Sequence, residues 1–342
     1  MIPLAYVVRR LLVSILTLLG VSVLTFLLAW VVPSKPAMTW VGPHATAEQL
    51  ARAEKELGLD KPVWQRYWLY LGGLIEGNWG VSIRTHRPVL QDISTYLPAT
   101  VELLCAGMFI AVLLGVPLGV LSAAKPGTLL DHVSRTVAIA GVGLPTFWLA
   151  MILQLIFFKY LGLFPLGKRI GTITAVLHPV EIRTGFYLLD SILGGNLVVF
   201  KDAAWHLVLP AVTVAAYALG LTMRMTRATM LEVLGEDYIR TSRAFGIRES
   251  RVLFRYALRN AARPVVTSLA LTFAYSLTGT FLIEAVFVWP GLGNYAADSI
   301  MSVDTPAIMG IVFLVASTYI LLNLVADLVI GLLDPRISDS GL

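Results

Sequence analysis

Six apolar runs set the limits on what this chain can fold into: residues 11–32, 99–124, 137–158, 205–223, 265–288 and 307–332. Each, wound as a helix rising about 1.5 Å per residue, is long enough to cross roughly 30 Å of hydrocarbon. A run surrounded by lipid must satisfy its backbone hydrogen bonds within itself, so these runs predict six transmembrane helices. Composition agrees. Of 342 residues 57% are hydrophobic and 14% charged, too few charges to clothe a soluble domain of this size. The expected fold class is an all-α polytopic membrane protein.

Arg9 and Arg10 before the first run also fit the positive region of a cleaved signal peptide. The run is too long for one, and no small-residue cleavage pattern follows Trp30-Val31-Val32-Pro33. It is read as the first span, with an inner tip (1–32) and the N-terminus inside. Six spans then bring the C-terminus inside as well. Of the 26 Lys and Arg residues, 14 fall on that inner side and 12 outside, seven of these in the long first loop, where the positive-inside bias is weak. The short 289–307 loop has no basic residue at all.

The outer segments carry local signals. In the 33–98 segment, 47–58 has helix-forming composition, with Thr46 as cap and Gly58 as stop. The stretch 60–74 reads as a second amphipathic piece, carrying Trp64, Tyr67, Trp68 and Tyr70 as interface aromatics. A short helix is expected at 186–193 within 159–204. Gly162-Leu163-Phe164-Pro165-Leu166-Gly167-Lys168-Arg169 has the Gly-x4-Gly-Lys spacing of a phosphate-binding loop. It lacks the Ser or Thr that would ligate magnesium, contains Pro165 and has no strand–helix frame around it, so it is a decoy. Cys105 is alone, and the five histidines, His206 among them, include no pair at i, i+3 or i, i+4. No disulfide, metal site, cofactor or nucleotide site is expected within the chain.

Between the fourth and fifth runs lies the longest polar insert. From Arg224 to Arg263 there are nine arginines, no lysine and four acids, so the formal charge of +5 resides mainly here and does not argue for nucleic acid. Apolar residues recur at helical spacing at Tyr238, Ile239, Ser242 and Phe245, then at Val252, Leu253, Tyr256 and Leu258. Gly246 sits between, where a helix can end in a left-handed turn. Residues 236–264 therefore predict helix, turn, helix. A basic amphipathic hairpin beside a span is often an interfacial element held by anionic membrane lipid, and charge alone does not separate that reading from a docking role.

Resemblance separates them. Arg240-Thr241-Ser242-Arg243-Ala244-Phe245-Gly246, followed by Leu258-Arg259-Asn260 and Pro264, resembles the cytoplasmic EAA loop of ABC-importer permeases, in the version carried by dipeptide, oligopeptide and nickel permeases. Gly58-Leu59-Asp60-Lys61-Pro62, Gly77-Asn78-Trp79-Gly80-Val81-Ser82, Leu97-Pro98-Ala99-Thr100-Val101-Glu102 and the block from His206 to Pro210 match that family in order. So do Glu284 to Gly293, Asp327 and Asp334-Pro335-Arg336. There are departures. Ser34, Lys35 and Asn78 stand where acidic or glycine residues are usual, Ser242 and Phe245 replace Ala and Lys, and Tyr256 replaces a frequent His.

The resemblance implies the type I ABC-importer permease fold, with six spans, N-in and C-in. Its core is 99–332, with a coupling loop at 224–263 and an inner tail at 333–342. It implies a bacterial inner membrane, a second homologous but distinct permease subunit, two ATPase subunits that bind ATP and magnesium, and an extracytoplasmic substrate-binding protein. Coupling to the ATPases is expected through Tyr238, Arg240, Thr241, Ser242, Ala244, Gly246, Arg259 and Asn260. Glu284, Phe287, Pro290, Gly291 and Gly293 are expected to serve a gate or the pathway; the alternative for Glu284 is a satisfied interior carboxylate. A secondary transporter or channel would instead show inverted repeats or broken helices with midplane charges, and a membrane enzyme would cluster His, Asp or Glu at span ends. Neither pattern is visible. The substrate stays open among dipeptide, longer peptide, nickel complex, glutathione and oligosaccharide.

Overall fold

Helices are the regular elements of the computed structural model, which describes residues 4–31, 36–42, 44–56, 58 and 60–333. Among the described residues there is no strand, and one isolated bridge pairs Val81 with Pro88. Pro33, Ser34, Lys35, the side chain of Asp327 and the 334–342 tail lie outside the described residues.

In order, the helices are α1 (Leu4–Val31), α2 (Pro36–Val41), α3 (Ala47–Glu56), α4 (Val63–Glu76), α5 (Val89–Ala124) and α6 (Leu129–Gly143). Next come α7 (Thr146–Leu153), which continues as a π-helix over Gln154–Tyr160, then α8 (Thr172–Leu177), α9 (Tyr187–Leu193) and α10 (Leu197–Leu234). After these follow α11 (Asp237–Ala244) and α12 (Glu249–Arg251), which leads through a π-helix at Val252–Ala257 into α13 (Leu258–Val286). The last are α14 (Leu292–Met301) and α15 (Thr305–Leu333).

Four stretches, Val7–Leu27, Val89–Ala124, Leu197–Leu234 and Thr305–Val325, are each long and apolar enough to cross a membrane. Two bent pairs qualify when taken together: Leu129–Gly143 with Thr146–Tyr160, bent by 110°, and Glu249–Leu277 with Gly279–Val286, bent by 55°. The expected straight span at 137–158 is thus broken. Pro145 is the reason: it forces Leu144 into extended backbone (ψ 134°) and the helix cannot continue through it. Pro98 and Pro117, by contrast, are absorbed within α5, which begins ten residues before the apolar run at 99.

The long helix α10 is the axis of packing, with α5, α6 and α13 around it. Helices in lipid gain little from hydrophobicity and associate by close approach, which needs small side chains. Gly107, Ala111, Gly115 and Gly119 recur every fourth residue along α5, and the three glycines face Val214, Thr222 and Thr226 on α10. A Cβ at Gly119 would stand 2.6 Å from Thr226 Cβ.

The segment between α1 and α5 is tied back onto the long helices. Thr46 caps α3 through a reciprocal pair with Gln49, and Gly58 beyond it takes φ +63°. Of the α4 aromatics, Tyr67 and Tyr70 lean on Phe26 of α1, Tyr67 at 5.5 Å between ring centroids, while Trp64 and Trp68 are exposed. The Ser82 hydroxyl donates to Asp304 at 2.5 Å, fixing the 77–82 block against the start of α15.

Candidate functional site

The hairpin closes at Gly246. Its amide donates to Arg243 carbonyl oxygen at 2.9 Å, and the Ile247 amide donates to Ser242 carbonyl oxygen at 3.2 Å, the two bonds of a Schellman cap. Gly246 has φ +72°, the left-handed conformation that this cap requires. Across the turn, Arg243 grips Glu249 with both Nε (3.2 Å) and Nη2 (2.8 Å). That contact holds the Glu249 carboxyl below its usual range and raises Arg243 further.

One face of the hairpin is sealed to the bundle. Ile239, Val252, Leu253 and Ala257 are buried with Val120 and Ala123 of α5 and Met230 of α10. The other face is open: Tyr238, Arg240, Thr241, Ala244, Gly246, Arg259 and Asn260 are exposed, with Ser242 half-buried. Asn260 Nδ2 donates to the Tyr238 hydroxyl at 2.6 Å, tying α11 to the start of α13. Helical spacing assigns Phe245 to the apolar face of α11. It is instead 81% exposed at the tip, because α11 ends at Ala244 and the cap swings the side chain away from the cluster.

A second group gathers at the far end of α13. Glu284 is fully buried and satisfied: it accepts from the Thr100 hydroxyl at 2.6 Å and from the amides of Gly293 (2.6 Å) and Asn294 (3.2 Å). Thr100 in turn accepts from the Leu292 amide at 2.8 Å, and Trp289 Nε1 donates to Ala99 carbonyl oxygen at 2.9 Å. Gly291 has to be glycine, since a Cβ there would lie 2.4 Å from Glu284 Oε2. Phe287 is buried against the same cluster, while Pro290 lines a separate cavity beside Arg169.

Two residues that local patterns left without a role meet nearby. Arg169, from the decoy loop, donates to Glu102 at 2.5 Å with both side chains more than nine-tenths buried. Glu102 also accepts from the Leu188 amide at 2.9 Å, so α5 and α9 are joined through one carboxylate. The decoy loop itself is pinned by Gln154 Nε2 to Leu166 carbonyl oxygen (2.7 Å) and by the Lys168 amide to Phe287 carbonyl oxygen (2.8 Å). These two bonds tie it to the bundle. His206 sits in α10 with Nδ1 2.8 Å from the Asp202 carbonyl oxygen, a local helix contact.

Between these two groups the helices leave an open cleft. A cavity of about 650 Å³ is bordered by Thr100, Phe281, Leu292 and Gly293, and a second of about 570 Å³ by Tyr217, Thr267, Ser268 and Thr272. Tyr275 and Tyr319 line both. Sequence reading singled out none of these tyrosines, because aromatics within an apolar run carry no local sign of which face they occupy.

A helical bundle with lipid-length spans, a docked basic hairpin at one end and an open cleft beside it defines a multi-pass membrane protein of the transporter class. The chain belongs to the family described as binding-protein-dependent transport system inner membrane component, whose model matches residues 115–339, and the companion N-terminal model matches residues 3–104. It is 42% identical over 335 residues to the di/tripeptide transport system permease protein DppB of Pseudomonas aeruginosa, covering 98% of each chain. It is 40% identical over 335 residues to the dipeptide transport system permease protein DppB of Escherichia coli K12, again over 98% of each. The glutathione transport system permease protein GsiC of Escherichia coli O1:K1 is 34% identical over 332 residues, 97% of this chain and 98% of that one. The chain is therefore a permease subunit of an ABC importer, not an enzyme, and ATP hydrolysis lies in partner subunits. The alternative of a secondary transporter or channel falls with that membership.

Proposed function

We propose that the chain spans the bacterial inner membrane six times, N-in and C-in, and forms half of the pathway by which short peptides are imported. The relatives are named for dipeptides, di/tripeptides and glutathione, and short peptides are the chemistry common to those names. The other half is a second, homologous but distinct permease; two ATPase subunits bind ATP and magnesium, and an extracytoplasmic binding protein delivers the substrate. The core is 99–332, with 33–98 outside and 333–342 inside.

Coupling runs through 236–264. One observation carries this reading: the hairpin is sealed by Ile239, Val252 and Leu253 to α5 and α10 while its tip, Ala244 to Gly246, stands free. A rigid element with an exposed end passes motion on. Phe245 and Ala244 enter a cleft on an ATPase, Arg240 and Arg259 pair with acids on its rim, and Tyr238, Thr241, Ser242 and Asn260 hold the hairpin's shape. When ATP draws the ATPases together, the paired hairpins approach and the spans open outward. The Glu284 clamp, with Phe287, Pro290, Gly291 and Gly293, is the outer gate: it sets the turn that walls the cleft. Tyr217, Tyr275 and Tyr319 face the peptide.

Co-purification tests the assembly. Gentle extraction of the tagged chain from its native membrane, followed by mass spectrometry, should retain a second permease, two P-loop ATPases and a binding protein. Repeated recovery of the chain alone would contradict the reading.

A further inference from the structure

Near the base of the hairpin, α5, α6 and α10 border an open cavity of about 270 Å³, with Arg135 and Arg224 exposed at its mouth. Three arginines line it, Arg135 from α6 and Arg224 and Arg227 from α10, and no acid does. Asp131 adjoins it through Arg227, but its carboxylate is already committed. Arg227 donates to it through Nε (2.7 Å) and Nη2 (3.1 Å), the Ser122 hydroxyl at 2.5 Å and the Gly127 amide at 3.0 Å. Arg135 and Arg224 make no ion pair among the described residues. The cavity therefore gathers two uncompensated guanidinium charges beside a third that is held in place.

Its depth in the bilayer follows from the chain. Arg135 precedes the apolar run at 137 by two residues, and Arg224 directly follows the run that ends at 223. The apolar runs thus end at these arginines while α6 and α10 continue past them as helix, and a long cation at the end of such a run reaches the headgroup level. The rim is apolar and faces outward: Ile139, part of the lining, is 70% exposed, and Val133 and Val137 are exposed on the same helix. A guanidinium fork matches phosphate oxygens, and basic pockets between spans at this level suit anionic headgroups.

We propose that Arg135, Arg224 and Arg227 bind the phosphate of an anionic phospholipid headgroup, with its acyl chains lying along Ile139 and the exposed face of α6. The leaflet is the cytoplasmic one, a designation that rests on the orientation proposed above; the site itself does not. Because α5 and α10 also carry the surface on which the hairpin is seated, the bound lipid braces the hairpin's base.

The test uses the assembled importer purified in detergent and titrated with short-chain phosphatidylglycerol, the matching phosphatidylcholine or inorganic phosphate, with bound species counted by native mass spectrometry. Phosphatidylglycerol should fill a saturable site on this subunit and phosphatidylcholine should not. Arg135→Ala and Arg224→Ala should each weaken binding about fivefold, and the double variant about 25-fold. Neither substitution touches the Asp131 network, so the subunit should retain its fold. Unchanged phosphatidylglycerol affinity in the double variant overturns the site. Phosphate binding that displaces the lipid overturns the lipid assignment in favour of a free anion. Loss of an ATPase subunit with lipid binding intact assigns the arginines to a protein partner and equally overturns it.

Discussion

Tyr238 and Asn260 stand 22 residues apart and are joined by a 2.6 Å hydrogen bond from the Asn260 amide to the Tyr238 hydroxyl. The bond closes the open side of a hairpin whose other side is closed by apolar packing. Tyr238→Phe removes it while keeping the ring, at a cost of about 1 kcal/mol in hairpin rigidity. Reconstituted importer carrying this variant should assemble normally but hydrolyse several ATP per substrate more than the wild type, measured as the ratio of phosphate released to peptide taken up.

Phe245 is the exposed apolar tip of the hairpin and joins no apolar cluster among the described residues. If it fills a pocket on an ATPase, its removal should act as the loss of an interface anchor, about 2 kcal/mol or more. Phe245→Ala should weaken ATPase affinity on the order of 30-fold in a pull-down titration, with Phe245→Leu in between. The stability of the isolated subunit should not change.

Glu102 and Arg169 form a buried pair, so removing one partner strands the other charge. Arg169→Ala should destabilise the subunit by about 3–5 kcal/mol. The double variant Glu102→Gln with Arg169→Met should recover a large part of that loss, read as thermal unfolding of the detergent-solubilised protein. Equal losses in the single and double variants would contradict the pairing.

The Arg243–Glu249 grip gives a pH prediction with a definite sign. Arg243 lowers the folded-state affinity of Glu249 for a proton, so the unfolded hairpin binds protons more readily. The contribution is fully present above the ordinary glutamate range, about 4.3, and is lost as pH falls through the lower folded value. Arg243 moves upward from an already high value and does not titrate in an accessible range. Coupling should therefore be flat from about pH 6 to about pH 8, and Glu249→Gln should lower it by a constant factor across that window. An effect of this variant that vanishes at the acid end would contradict the assignment.

Much of this architecture is readable locally. A lipid-length apolar run dictates a helix wherever proline allows one, and a glycine between two amphipathic runs marks a turn, which is why 236–264 and Gly246 stand out. Thr46 and Gln49 cap α3 through a pair three residues apart, and such signals are visible in one window of sequence. Pro145 was visible too, but its effect was not: Pro98 and Pro117 are absorbed in a helix while Pro145 breaks one. Phe245 was misassigned because helical periodicity carries no mark of where the helix stops. Glu102 and Arg169 are 67 residues apart, Glu284 and Thr100 184 apart, and no periodicity links such partners. The small residues at every fourth position of α5 go unread in the sequence, because their meaning requires α10 beside them.

The central claim is that the hairpin transmits ATPase motion as a rigid body, and Gly246 tests it most directly. A Cβ there meets nothing within 4 Å, so substitution acts on backbone conformation alone. A β-branched residue resists φ +72°, whereas Asn adopts it with little penalty. In proteoliposomes containing the complete importer, Gly246→Val should retain ATP hydrolysis and lose peptide uptake, and Gly246→Asn should keep both. Uptake by the Val variant at the wild-type ratio to hydrolysis would contradict the account.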